Sequence, residues 1–159
     1  MDQSSIKLKL FLDELNVPTT IATLDERKTV QKAVYIGQSA GVNLGYSYGW
    51  YLMGPYSPEL TKAYYSLNDY LDSGDEDYRK FKLSESLTQK IHELKLILAV
   101  PSEKLKVDSW LELIASIVYL KKEEGLTQDL IKSRLNLEKP HLVEYFDDGV
   151  ELSKQLKLI

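Results

Sequence analysis

Apolar positions recur every three or four residues along most of this chain, and glycine-rich or acidic tracts cut the pattern into helical lengths. Ser4 or Ser5 can cap a first helix, whose stripe includes Leu8, Leu12 and Leu15 and which ends at "NVPTT". The alternation Ile6/Leu8/Leu10 also fits a short strand, but segment length and the lysine and glutamate content favour helix. Thr23 or Asp25 opens a second helix, with Val30, Ala33, Val34 and Gly37 on one face, before the glycine-rich "GVNLG". Ser57-Pro58-Glu59-Leu60 is a strong third start: serine caps, proline takes the first helical position, and glutamate complements the dipole. Leu60, Tyr64, Leu67 and Leu71 then align.

Ser86-Leu87-Thr88-Gln89 reads as a capping box for a helix carrying Ile91, Leu94 and Leu98 and stopping before Pro101. Asp108 or Ser109 opens a very apolar helix that closes at Gly125, and its charge-poor middle marks it as the central core helix. Thr127 caps a short helix to Leu135, and Pro140 begins the last one. Only "YSYGWYLM" and "KFKL" (80–83) are strand candidates; in the first, Tyr46, Tyr48 and Trp50 alternate with Ser47, Gly49 and Tyr51. The expected fold is mainly α: a single helical domain over residues 1–159 with one small β-hairpin, winged-helix-like architecture being one option. The acidic stretch at 72–80 is the one candidate internal boundary.

Composition narrows the chemistry. A chain of 159 residues can form one core, and the absence of cysteine removes disulfides, thiolate nucleophiles and cysteine-bound zinc. Lys7, Lys9, Asp13 and Glu14 break the N-terminal apolar run, so no signal peptide is expected, and the chain should be soluble and cytoplasmic without a membrane partner. The formal net charge is −4, with −3 up to Lys80 and −1 beyond, which disfavours neutralising many phosphates.

Several motifs weaken on inspection. Gly37 to Gly41, "GQSAG", matches a serine-hydrolase nucleophile elbow, but that motif needs a strand before Ser39, and here a helical pattern precedes it. Gly37, Gly41, Gly45 and Gly49 fall four apart and read as a flexible turn series. His92 and His141 stand alone, and the runs "DEDY" and "FDDG" lack calcium-loop spacing, so neither a cofactor nor a metal is expected. The tail from Gly125 to Asp148 scans like a helix-turn-helix, yet residues 139–151 carry one lysine against four carboxylates. Nucleic acid is therefore the less favoured partner, and no catalytic residue is assigned.

The tyrosines are the remaining signal. Eight of the eleven lie between Tyr35 and Tyr70, beside Trp50. They fill a gap between helices and a hairpin, or they form a protein-recognition surface; both hold if inner rings pack and outer rings are exposed.

The stretches "RKTVQKAVYIGQ" (27–38) and "YSYGWYLMGPYSPEL" (46–60) resemble the YwgA-like group of bacterial proteins, related to the SocA-type antitoxin (Panacea) families. The shared pattern is a Lys-x-x-Gln-Lys helix (28–32), a short aromatic strand, then Gly-Pro and a helix start, with weaker echoes in "WLELIASIVYL" and "KPH". The turn departs from the SocA pattern, with Tyr56 where those members more often carry valine after Gly-Pro. The resemblance implies a non-catalytic helical domain that binds a partner protein, antitoxin-like or defence-associated. A homo-oligomer is compatible with it. It also implies that Lys28, Gln31, Lys32, Tyr35, Trp50, Gly54, Pro55 and Tyr56 lie together. Candidate partner-binding residues are Lys28, Gln31, Lys32, Tyr35, Tyr48, Trp50, Tyr56 and Tyr64. Gly54, Pro55, Ser57 and Pro58 are expected to form the structural turn, with Gln31 or Lys32 tying down its carbonyls.

Overall fold

The computed structural model describes all 159 residues. Seven α-helices and one hairpin follow in the order α1 (Gln3–Leu15), α2 (Leu24–Ser39), β1 (Gly49–Tyr51), β2 (Gly54–Tyr56), α3 (Pro58–Asp72), α4 (Glu85–Leu94), α5 (Val107–Lys122), α6 (Gln128–Glu138) and α7 (Phe146–Gln155). Short 3-10 turns at Asp77–Lys80, Lys95–Leu98 and Pro140–Tyr145 join some of them. The mainly helical single domain with one small antiparallel hairpin matches the expectation from periodicity. No helix is long and apolar enough to cross a membrane.

The central helix is α5. Leu111, Leu113, Ile114, Ala115, Ile117 and Val118 are fully buried, each large side chain contributing on the order of 2 kcal/mol. Helix α2 packs along it on one side and α7 on another, while α1 joins α3 and α4. The acidic stretch at 72–80 is tied to the N-terminus, where the Met1 ammonium lies 2.8 Å from Asp75 Oδ2.

Several helix starts differ from the sequence expectation. Asp2, not Ser4 or Ser5, caps α1: its carboxylate accepts from the Ser5 amide at 2.7 Å, and Ser5 is buried in the first turn. Thr23, one of the two residues expected to open α2, does cap it, in a full capping box with Glu26. Ser84, not Ser86, caps α4, so the apparent box at 86–89 lies inside the helix. No side chain caps α5, because the cap position falls on Lys106, which has no acceptor; Asp108 lies inside the first turn and pairs with Lys28 of α2.

The strands also need correction. Tyr46 and Tyr48 precede the strand, which is only three residues long. The partner of β1 is Gly54–Tyr56, with Trp50 opposite Pro55, and not the 80–83 tract. A partner two residues away needs almost no loop closure, whereas Lys80 ends a 3-10 turn and Phe81 is left exposed.

Gly37 is a packing residue rather than part of a loose turn series. It lies inside α2, and a Cβ there would fall 2.5 Å from the fully buried Phe11 ring of α1. Gly37→Ala is therefore expected to destabilise the fold by about 1–3 kcal/mol through overpacking. Urea denaturation measures this, and a change below about 0.5 kcal/mol would show that α1 and α2 do not need that approach.

Candidate functional site

Four-residue spacing puts residues on one helix face. On α2 it aligns Lys28 with Lys32; on α5 it aligns Asp108, Glu112 and Ser116. Because α2 packs along α5, these two polar stripes meet inside an otherwise apolar interface. Lys28 Nζ lies 2.6 Å from Glu112 Oε1 and 3.2 Å from Asp108 Oδ2. The other Glu112 oxygen, Oε2, takes Lys139 Nζ at 2.9 Å, so one carboxylate joins α2, α5 and the end of α6. Glu112 and Lys139 are each 3% exposed, placing this bridge in the interior.

The lysines also hold the hairpin. Lys139 Nζ donates to the Leu52 carbonyl and Lys32 Nζ to the Pro55 carbonyl, both at 2.6 Å. Gln31 completes the clamp: its Nε2 donates to the Ser57 carbonyl and its Oε1 accepts from the Ser57 amide, both at 2.9 Å. Tyr48 donates from its hydroxyl to the Gln31 carbonyl at 2.7 Å. Gly54 closes the turn at φ +85°, where glycine is favoured, and a Cβ would fall 2.6 Å from Ser116 Oγ. Ser57 caps α3 by accepting from Leu60, and Pro58 takes the first turn, as the sequence indicated.

The aromatic side chains divide into two sets. Tyr35 meets Tyr48 edge-on at 5.0 Å, and Trp50 lies against Tyr119 at 5.6 Å. Tyr35 and Tyr64 are buried, whereas Tyr51 and Tyr65 are about half exposed. Beside the hairpin tip, Tyr51, Leu52, Met53 and Tyr56 face α2 and α3 across a recess of about 420 Å³. Gln31, Lys32 and Tyr64 also line it, with Arg27 and Lys28.

The lysines differ electrostatically. Burial works against the Lys28 ammonium, but its bonds to Glu112 and the charges of Glu112 and Asp108 outweigh that and raise its pKa above the usual lysine value. Lys32 has no carboxylate in contact. Burial lowers its pKa to about 7; attraction from Glu112 offsets part of this, and Lys28 and Lys139 add repulsion. Burial raises the Tyr48 hydroxyl well above 10, so it remains a donor.

The structure thus brings together the residues that the resemblance grouped, with varied surroundings. Gln31, Lys32 and Tyr35 are buried, and Gln31 and Lys32 bind hairpin carbonyls. Lys28 is held by carboxylates, while Trp50 and Tyr56 are half-buried on the hairpin. Sequence reading missed Asp108 and Glu112 as members of the site, and it placed Lys139 in a tail helix. The signal was the polar 108/112/116 stripe in a helix otherwise fit for the core. Ser39 ends α2 instead of following a strand, so its setting is not that of a nucleophile elbow.

Comparison with protein-family models, with curated proteins and with solved structures returned no match.

Two outcomes follow from the clamp. Glu112→Gln leaves the buried Lys139 without a carboxylate and Lys28 with Asp108 alone, and is expected to cost about 3 kcal/mol in urea denaturation. A loss below about 1 kcal/mol would show that the hairpin does not depend on the bridge. Lys32 predicts a pH effect. Between its folded pKa near 7 and its ordinary value of 10.5, the unfolded chain holds one more proton, so stability rises with pH. The Met1 ammonium, raised from 8.0, acts in the opposite direction but equally in wild type and in Lys32→Met. From pH 7 to 9 the wild type should gain about 2 kcal/mol relative to Lys32→Met, and parallel curves would rule out the burial effect.

Proposed function

We propose that this chain is a non-catalytic protein-interaction module whose contact surface is the hairpin tip and its adjoining recess. The observation that carries the reading is Leu52: it is 90% exposed at the tip of a hairpin whose carbonyls are clamped from below. Tyr51, Leu24 and Tyr65, each about half exposed, and Met53 extend the apolar surface around the recess. Rigid presentation lowers the ordering cost of binding, and amphipathic aromatics suit an interface. The resemblance to the YwgA-like and SocA-type groups sets the context: an antitoxin-like or defence-associated protein whose partner is itself a protein.

Nucleic-acid binding through the tail has less support. Lys139 is committed to Glu112 and Leu52, and the first turn of α7 carries Asp147 and Asp148.

The test is affinity purification of tagged protein from its native cells, with wild type, the pair Leu52→Asp/Met53→Asp, and Leu137→Asp as a control on exposed α6 surface. A stoichiometric protein partner should accompany wild type and Leu137→Asp and fall at least about tenfold with the tip pair, while circular dichroism stays unchanged. Retention of the partner by the tip pair, or recovery of nucleic acid alone, would overturn the assignment.

A further inference from the structure

The recess beside the hairpin tip has an unbalanced lining. Arg27, Lys28 and Lys32 contribute to it, and no aspartate or glutamate does, although the chain as a whole carries a net −4. Lys28 is already neutralised by Glu112 and Asp108. Arg27 and Lys32 form no ion pair: Arg27 Nη1 donates to the Ile21 and Ala22 carbonyls at 2.9 and 3.2 Å, and Lys32 reaches only the Pro55 carbonyl. A guanidinium bonded only to carbonyls retains its charge and free N–H donors, and those donors suit a carboxylate. Around these cations the walls are apolar and aromatic, from Leu24 and Tyr65 on the helices to Leu52 and Met53 on the tip.

We infer that the recess receives a peptide segment of the partner protein that presents a large apolar side chain next to an aspartate or glutamate, the side chain entering between tip and helices and the carboxylate meeting Arg27. This deepens the proposed interaction surface and rests on that reading. Charge complementarity selects the acidic segment. A basic segment would meet Arg27, and Lys32 in its protonated form, as like charges, and an uncharged one would leave Arg27 without an anion. Lys32 adds a linked effect. A carboxylate above it favours its charged form, so binding takes up protons near neutral pH and weakens as the medium becomes more basic.

The test uses the full chain, immobilised, in selection from a random library of 12-residue peptides, followed by affinity measurement on the most enriched sequence made synthetically. Enriched peptides should pair a large apolar residue with a neighbouring Asp or Glu. Affinity should fall about tenfold in Arg27→Gln and in Leu52→Asp, and it should weaken with added salt and between pH 6.5 and 8.5. Should Arg27→Gln lose its fold with its carbonyl bonds, the salt and pH dependence of the wild type decides alone. Enrichment of basic or uncharged peptides, no enrichment over bare support, or affinity indifferent to both salt and pH would overturn the inference. Should a cellular partner depend on the hairpin tip while selected peptides are not acidic, the interaction surface stands and the acidic class falls. Should both fail, the interaction reading falls as well.

Discussion

The Glu112 carboxylate is the interaction on which the arrangement depends. One oxygen holds Lys28 of α2, the other holds Lys139 at the end of α6, and Lys139 in turn reaches the hairpin. A buried carboxylate flanked by two lysines is stable only when each partner is in place, since desolvation of an unpaired charge costs several kcal/mol. The same bridge that is a weak source of net stability is thus a strict condition on geometry. Helices α2, α5 and α6 must meet in one register for the charges to pair.

That condition extends outward to the hairpin. Two three-residue strands cannot stand alone in water. Here lysines bind the Leu52 carbonyl of the connecting turn and the Pro55 carbonyl of β2, and Gln31 binds both the amide and the carbonyl of Ser57 at the start of α3. The rings of Tyr48 and Trp50 fill the space between this clamp and the core helices. At the tip the Leu52 backbone is held by Lys139 while its side chain stays 90% exposed, an arrangement suited to contact and not to core formation.

Local signals in the sequence were strong wherever a helix meets its own ends. Thr23, Ser57 and Thr127 act as caps because their hydroxyls serve amides three residues away, a relation contained within one segment. Where two polar residues competed locally the reading failed, as at Asp2 against Ser4 or Ser5 and at Ser84 against Ser86. The Phe81–Leu83 tract has strand-like alternation, yet alternation cannot supply a neighbouring strand.

The sequence by itself determined the helical periodicity, the Gly-Pro turn feeding the Pro58 helix, and a concentration of tyrosines around that junction. Each follows from spacing or backbone preference within a few residues. Only the tertiary structure decided which of those rings face inward and why the central apolar helix contains Glu112. Only the fold, likewise, shows that Lys139, more than a hundred residues from Lys28, shares its carboxylate. Those facts depend on the register between helices distant in sequence, and burial and charge pairing enforce it.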